Sequence, residues 1–276
     1  MYKKLRPILT ALLLAVFLVS AVMLVRHLLD YRAAKDAYSE AEAIAALPPA
    51  EEIAPPAPSA PAAEAEPQQE AEASAPADPC AALLQGMDLE ALRAVNSDVL
   101  GWISIPDTVL SYPLVRGADN QYYLTHTWNG SRNSVGAIFM DCRSPADLSG
   151  ANTILYGHRM IDGSMFASLK YYNTQSYLSA HPSVYLADDT GVHRYAIFAA
   201  YEASVTSAVY QTSFSSAAEK QAMIDEALSR SAVSTGVSPT ADDRILTLST
   251  CTGSGHATRW VVLAVWAETV PYDAAA

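Results

Sequence analysis

Apolar and polar positions change rhythm along this chain, and each rhythm predicts a different element. Pro7 to Val25 is a run of 19 residues without a charge, close to the roughly 20 that carry a helix across a bilayer core. Tyr31 to Ala46 turns Ala- and Glu-rich, which predicts that the helix runs on outward as a short polar stem. From Leu47 to Pro79, Pro, Ala and Glu dominate, aromatics are absent, and Ile53 is the only β-branched residue. Such a segment buries too little apolar surface to offset its ordering entropy and is expected to stay extended. As a polyproline-like spacer it would reach on the order of 100 Å.

After Cys80 the rhythm becomes that of a folded domain. Leu83, Leu84, Met87, Leu92 and Val95 recur at helical spacing and predict one amphipathic entry helix. Short alternating or apolar runs follow near Trp102 to Ile105, Tyr112 to Arg116, Gly136 to Asp141, Asn152 to His158, Ser183 to Ala187, His193 to Glu202, Arg244 to Cys251 and Arg259 to Val270. Eight short strands separated by turn residues predict a mainly β fold, a closed eight-stranded β-barrel rather than a parallel α/β sheet. Two helical insertions interrupt them. One covers Ser164 to Tyr172 and Thr174 to Ala180; the other, Ser215 to Arg230, precedes the strand that ends at Cys251 and begins with a Ser cap. The expected division is therefore 1–35 as basic terminus and membrane anchor with its span at about 7–25, 36–79 as acidic linker, and 80–276 as one globular domain.

Charge sharpens this division. The net charge is −12, and residues 36–92 hold twelve acids and no Lys or Arg, so the acidity belongs mostly to the tail. No dense basic face is left in the folded part, which argues against nucleic acid as a partner. Lys3, Lys4 and Arg6 precede the apolar run and favour a cytoplasmic amino terminus, while Arg26, Arg32 and Lys35 on the far side weaken that bias. A cleaved signal peptide is the competing reading, because Val19-Ser20-Ala21 resembles a small-residue cleavage site, but the apolar run continues through Val25.

Three cysteines, Cys80, Cys142 and Cys251, lack the paired spacing of a disulfide framework or a zinc knuckle. Cys142 reads as a small apolar residue closing the Gly136 to Asp141 strand, with a Cys80 to Cys142 bridge as the alternative. No acidic, His or Cys cluster has metal-ligand spacing and no Gly-rich nucleotide loop occurs, so neither metal nor cofactor is expected. Tyr122, Tyr123, Trp260 and Trp266 are expected to fill the barrel, and His126, His181 and His193 to sit in turns or on the surface.

Candidate chemistry gathers at two strand ends. Thr247-Leu248-Ser249-Thr250-Cys251 delivers a thiol at its tip, and Arg259 follows eight residues later. Upstream, Asn152-Thr153-Ile154-Leu155-Tyr156-Gly157-His158 ends in a histidine. A thiol with a pKa near 8.5 is only a few per cent thiolate at pH 7, so a nucleophilic Cys requires a nearby cation or base. Arg259 and His158 are the candidates, with His256 a rival for the proton-transfer role.

The order His, then Leu-Ser-Thr-Cys, then Arg resembles the sortases, the cysteine transpeptidases of Gram-positive cell surfaces. Asn96 to Ile103, Ser111 to Val115, Asn120 to Leu124 and Tyr156 to Phe166 look like class B sortases, and the similarity runs from about Leu89 to Val270. The long helix ahead of the cysteine strand is also similar to that class. The resemblance implies a sortase-type barrel in which Cys251 attacks the Thr carbonyl of a carboxy-terminal sorting signal, His158 serves as acid and base, and Arg259 holds the developing oxyanion. It implies that Thr250 helps line the oxyanion site. Ser249, Tyr156 and Asn120 match positions facing the sorting-signal groove, with barrel packing as the alternative for each. The implied partners are surface proteins with sorting signals and an amine from peptidoglycan or a pilin. The implied setting is a single-pass cell-membrane protein with its catalytic domain outside. Two rivals stay open: a hydrolase that releases surface proteins with water, and a noncatalytic peptide-binding module. A papain-like peptidase is disfavoured, since those enzymes place Cys ahead of His.

Overall fold

Helix α1 (Tyr2–Ile44) opens the chain and runs unbroken for 43 residues. The computed structural model describes residues 2–47, 78–251 and 257–272, so the bulk of the expected acidic linker lies outside the described residues. Two short helices follow, α2 (Pro79–Gln85) and α3 (Leu89–Val95). They replace the single entry helix that the spacing predicts. Gly86 ends α2, and the Asp88 carboxylate accepts from the Ala91 amide to start α3 afresh, as capping residues do.

Eight strands follow in the order that the alternation predicts: β1 (Val99–Ser104), β2 (Ser111–Val115), β3 (Ile138–Met140), β4 (Asn152–Tyr156), β5 (Ser183–Asp188), β6 (Gly191–Ser204), β7 (Ile245–Cys251) and β8 (Thr258–Val270). They close into a barrel in the order β1-β2-β3-β4-β7-β8-β6-β5, with β5 returning to β1. The ladders β2/β3 and β4/β7 are parallel and the rest antiparallel. Between β4 and β5 the insertion begins as a 3₁₀ segment, Phe166–Asn173, and becomes helix α4 only at Gln175–Ala180. Helix α5 (Ala217–Arg230) precedes β7, as expected. Its Ser216 hydroxyl accepts from the Glu219 amide, and the Glu219 carboxylate reaches back to the Ser215 amide, much as in a capping box.

Two apolar layers result. Inside the barrel, Leu246, Leu248, Val262 and Ala264 pack with Trp102, Tyr123 and Phe139. Outside it, Met223, Ile224 and Ala227 of α5 cover Ile245, Val261 and Leu263. The period of two along β7 and β8 supplies both layers from the same strands. Trp102 and Trp128 are fully buried, whereas Tyr122, expected in the barrel, is 43% exposed. Trp260 and Trp266 are only partly buried. His193, expected at a turn, is instead buried in β6, with Nε2 at 3.0 Å from Asp188. Cys80 and Cys142 are both free, so the alternative bridge does not form.

The polar stem departs furthest from expectation. Ala34, Ala37, Tyr38, Ala41 and Ala45 are buried along one face of α1, at the three- and four-residue spacing of a single stripe. The Trp128 indole donates to the Ala37 carbonyl at 2.7 Å, Asn133 donates to the Asp30 carbonyl at 2.7 Å, and the Tyr38 hydroxyl donates to the Gly136 carbonyl at 2.6 Å. Residues 34–47 therefore pack as part of the globular unit, beyond the boundary expected at 35. Upstream, Leu12 to Leu29 present their large apolar side chains outward, and no part of the most apolar window is buried. That stretch is a candidate membrane anchor. Tyr38→Phe removes the buried donor to Gly136 and is expected to cost about 1–2 kcal/mol. A thermal melt of the full chain in detergent checks this, and an unchanged Tm would show that the alanine stripe alone holds the helix.

Candidate active site

The barrel places β7 between β4 on one side and β8 on the other. Parallel pairing sets Tyr156 level with Ser249, and the Gly157 amide donates to the Ser249 carbonyl at 3.3 Å. The ladder ends there, with His158 and Cys251 each two residues further along at the same end of the barrel. Antiparallel pairing on the other side makes Arg259 the partner of Cys251. One end of the barrel thus gathers the backbones of all three residues proposed from the sequence for the chemistry. The Cys251 side chain and residues 252–256, which include the rival His256, lie outside the described residues.

His158 stands two residues past the end of β4, where the strand pattern predicts that it would close the strand. Gly157 permits this exit, because a Cβ there would meet Ile138 Cδ1 at 2.4 Å and the Phe166 ring at 2.8 Å. The ring is half-buried and its Nε2 lies 2.8 Å from the Leu124 carbonyl. A carbonyl only accepts, so Nε2 carries the proton in that bond and proton exchange with other groups falls to Nδ1. Gly136, at φ +66°, clears space for the ring: a Cβ there would sit 3.0 Å from His158 Cδ2 and 2.6 Å from the Tyr123 carbonyl.

Arg259 is half-buried and one guanidinium nitrogen donates to the Thr258 carbonyl at 2.8 Å. The period of two places positions 247 and 249 on the outer face of β7, and 246, 248 and 250 toward the interior. Thr250 therefore follows Leu246 and Leu248; it is 2% exposed and its hydroxyl has no hydrogen-bond partner among the described residues. Its cross-strand partner Trp260 likewise has a buried indole N–H without a partner among them. Ser249, on the outer face, pairs its hydroxyl with Tyr210 at 3.0 Å. Tyr156 donates to the Asp141 carboxylate at 2.8 Å, and Asn120 accepts from the Cys142 amide at 2.8 Å. Ser249, Tyr156 and Asn120 thus each have a structural partner beside the candidate site.

Sequence reasoning missed the centre of that network. Asp141 is fully buried and its carboxylate accepts from Arg143 through Nε at 2.9 Å and Nη2 at 2.6 Å, as well as from Tyr156. Burial alone would raise its pKa, but the hydrogen bonds from Arg143, Tyr156 and Asn120 outweigh it and hold the carboxyl down at about 2. The signal that could have found it is an acid and an Arg two residues apart just past the β3 run, a spacing suited to one carboxylate and one fork. Among the described residues no group of three or more His, Cys, Asp or Glu side chains is placed to hold a metal ion.

Comparison with known proteins decides the family. The model of the sortase domain matches residues 103–267. The chain belongs to the sortase family. Sortase B of Listeria monocytogenes is 35% identical over 164 residues, 59% of this chain and 67% of that protein. Sortase B of Staphylococcus aureus is 35% identical over 162 residues, 59% of this chain and 66% of that protein. The Staphylococcus aureus sortase B–substrate complex superposes with a TM-score of 0.62 at 34% identity, covering 65% of this chain and 84% of that one. The chain is thus a class B-type sortase, and sortases are cysteine transpeptidases that act on sorting-signal substrates and amine acceptors.

The Asp141 cluster in this sortase has a pH signature. A folded pKa of about 2, below the ordinary 3.8, means that its stabilisation is fully present above about pH 4 and is lost as pH falls through about 2. Asp141→Asn is expected to lower stability by about 2–3 kcal/mol at pH 7, with the gap to the parent protein closing between pH 4 and pH 2. Denaturant melts across that range check it; a gap constant with pH would mean that shape rather than charge is what the cluster needs.

Proposed function

We propose that this sortase is a membrane-anchored enzyme that cleaves the carboxy-terminal sorting signal of surface proteins through a thioester on Cys251 and passes the acyl group to a cell-wall or pilin amine. The observation that carries this reading is the position of β7 between β4 and β8, which supports a shared role for His158, Cys251 and Arg259. Its setting is an amino terminus in the cytoplasm, α1 across the membrane and the barrel outside, supported by the lipid-suited surface of α1.

In this mechanism the Cys251 thiolate attacks the substrate carbonyl, favoured by the fixed positive charge of Arg259. The oxyanion that forms is held by the guanidinium and by strand-end amides. His158 gives its Nδ1 proton to the departing amine as the C–N bond breaks and the C–S bond stays as a thioester. An incoming amine then attacks the thioester carbonyl and returns a proton to His158. The new C–N bond forms and the thiolate leaves.

Cys251→Ala is expected to abolish cleavage of a sorting peptide with the fold intact, as is His158→Ala, while His256→Ala costs much less. A peptide-cleavage assay with circular dichroism beside it decides this. If His256→Ala proved the more damaging of the two, the Tyr156-Gly157-His158 exit would be structural and His256 the proton donor.

Transfer to an amine requires a site that prefers it over water at roughly 55 M. Adding the right acceptor is therefore expected to divert product from free acid to amide. Mass spectrometry across oligoglycine, diamino-acid and lysine acceptors reads the ratio, and free acid alone with every acceptor would make this sortase a hydrolase.

A further inference from the structure

The turn that follows His158 carries the most exposed large apolar side chain among the described residues, and its backbone touches α1. Ile161 is 98% exposed. It does not sit on a slack loop. The Gly163 amide donates to the Met160 carbonyl at 3.3 Å, and Asp162 accepts from both the amide and the hydroxyl of Ser164, at 3.0 and 2.7 Å. An isolated bridge joins Arg159 to Met165, and the Phe166 amide donates to the His158 carbonyl at 2.9 Å. Gly163, at φ +89°, completes a tight hairpin tip, while Met160 packs against the core behind it. A fixed turn that presents an isoleucine wholly to solvent loses apolar burial unless something covers it.

The same turn meets α1 at a defined height. The backbone of Ile161 lies against the hydroxyl of Tyr31, and one residue before it the Asp30 carbonyl receives Asn133. The far end of the domain meets α1 higher up, where the Asp88 amide donates to the Ala45 carbonyl. Tyr31 is six residues past the end of the uncharged run at Val25, about 9 Å along a helix. The headgroup zone of one leaflet is roughly 5–8 Å deep, which sets Tyr31 at its outer edge. Leu28 and Leu29, still 59% and 60% exposed, extend the apolar sleeve almost to Tyr31, and Tyr31 with His27 forms an edge-on ring pair at 4.7 Å, in keeping with the aromatic preference for this zone. Nearby cations Arg26, Arg32, Lys35, Arg132 and Arg159 are interspersed with Asp30, Asp36, Glu40 and Asp162, so no strong single-sign field drives the approach.

We infer that the barrel rests on the outer leaflet, with the Arg159–Ser164 turn as its foot and Ile161 inserted among the lipid headgroups. The inference rests on the reading of α1 as a bilayer-spanning helix. His158 is three residues from Ile161, so the reacting end of the barrel opens close to the lipid surface, where acyl donors and amines tethered to that leaflet arrive already confined. The contact is apolar, and is expected to survive high salt.

The test uses the full chain in phosphatidylcholine vesicles carrying a photoactivatable lipid, with the diazirine placed either near the headgroup or at the tail end, and mass spectrometry of the lipid adducts. The headgroup probe is expected to label residues 159–164 at least fivefold more than the α2 segment around Leu83, an exposed apolar side chain at the far end of the domain. The tail probe is expected to label residues 7–25. Ile161→Ser, at a position with no packing to lose, is expected to reduce headgroup-probe labelling of the turn several-fold with an unchanged melt. Labelling of 7–25 without labelling of 159–164 overturns the inference and leaves the spanning helix standing. Equal labelling of the turn and of α2 also overturns it. No labelling of 7–25 by either probe overturns the spanning reading and the inference together.

Discussion

Parallel pairing of β4 with β7 is the constraint on which the site depends. In a parallel pair both strands finish at the same end, and the chain must cross back over before the second begins. Here that crossover holds the 3₁₀ segment, α4, β5, β6 and α5. It returns β7 in the same sense as β4, with Tyr156 level with Ser249. Antiparallel pairing of these strands would send His158 and Cys251 to opposite ends of the barrel. The hairpin from β7 to β8 then needs only a short connection to set Arg259 opposite Cys251. The long connection and the short one together determine which three residues share an end.

That parallel pair is itself locked by polar groups that the apolar layers surround. Thr247 donates to the Asn152 side-chain oxygen at 2.8 Å, and the Asn152 amide donates to the carbonyls of Val209 and Gln211, each at 2.9 Å. Asn152 and Thr247 are fully buried. A buried amide with each hydrogen satisfied fixes register in a way that apolar packing alone does not. The same bonds hold the 3₁₀ turn Ala208–Tyr210 against the strands, and Tyr210 meets Ser249. The outer face of β7 thus passes from apolar cover under α5 to a polar cluster of Tyr210, Asp141, Arg143 and Tyr156 as it nears Cys251.

Much of this architecture is legible in the residues themselves, for reasons that differ from one to the next. The eight strands show because Val, Ile, Tyr and Leu alternate with polar residues over short runs bounded by turns. The candidate trio shows because reactive residue types stand at the ends of two of those runs. What stays hidden depends on residues far apart in sequence. Asn152 and Thr247 are 95 positions apart and read singly as ordinary strand polars. Asp141 looks like a strand terminus, since nothing local says that Tyr156 and Asn120 converge on it. Family resemblance assigns Thr250 to the oxyanion site, but strand alternation turns its side chain toward the interior. The break between α2 and α3 escapes the periodicity because Gly86 and Asp88 interrupt a helical stripe whose apolar spacing continues across the gap.

The alanines of α1 are the hardest to read, and they change what the acidic segment after them can do. Ala34, Ala37, Ala41 and Ala45 look compositionally like the start of a featureless stem, but their lack of bulk lets the helix backbone approach the barrel loops closely enough for Trp128 and Tyr38 to bridge the gap. A spacer that holds the domain away from a membrane must lie between the anchor and the domain. Here the helix that carries the candidate anchor reaches the domain first. Leu47 is buried against the core at one edge of the acidic segment, and at the other Asp78 caps α2 and accepts from Tyr185. Both ends are held by the same body, so the length of the segment sets no distance between α1 and the barrel. Closing a loop of this kind adds only about 0.6 kcal/mol for each doubling of its length, so its length can vary at little cost while the docked helix stays fixed to the barrel loops.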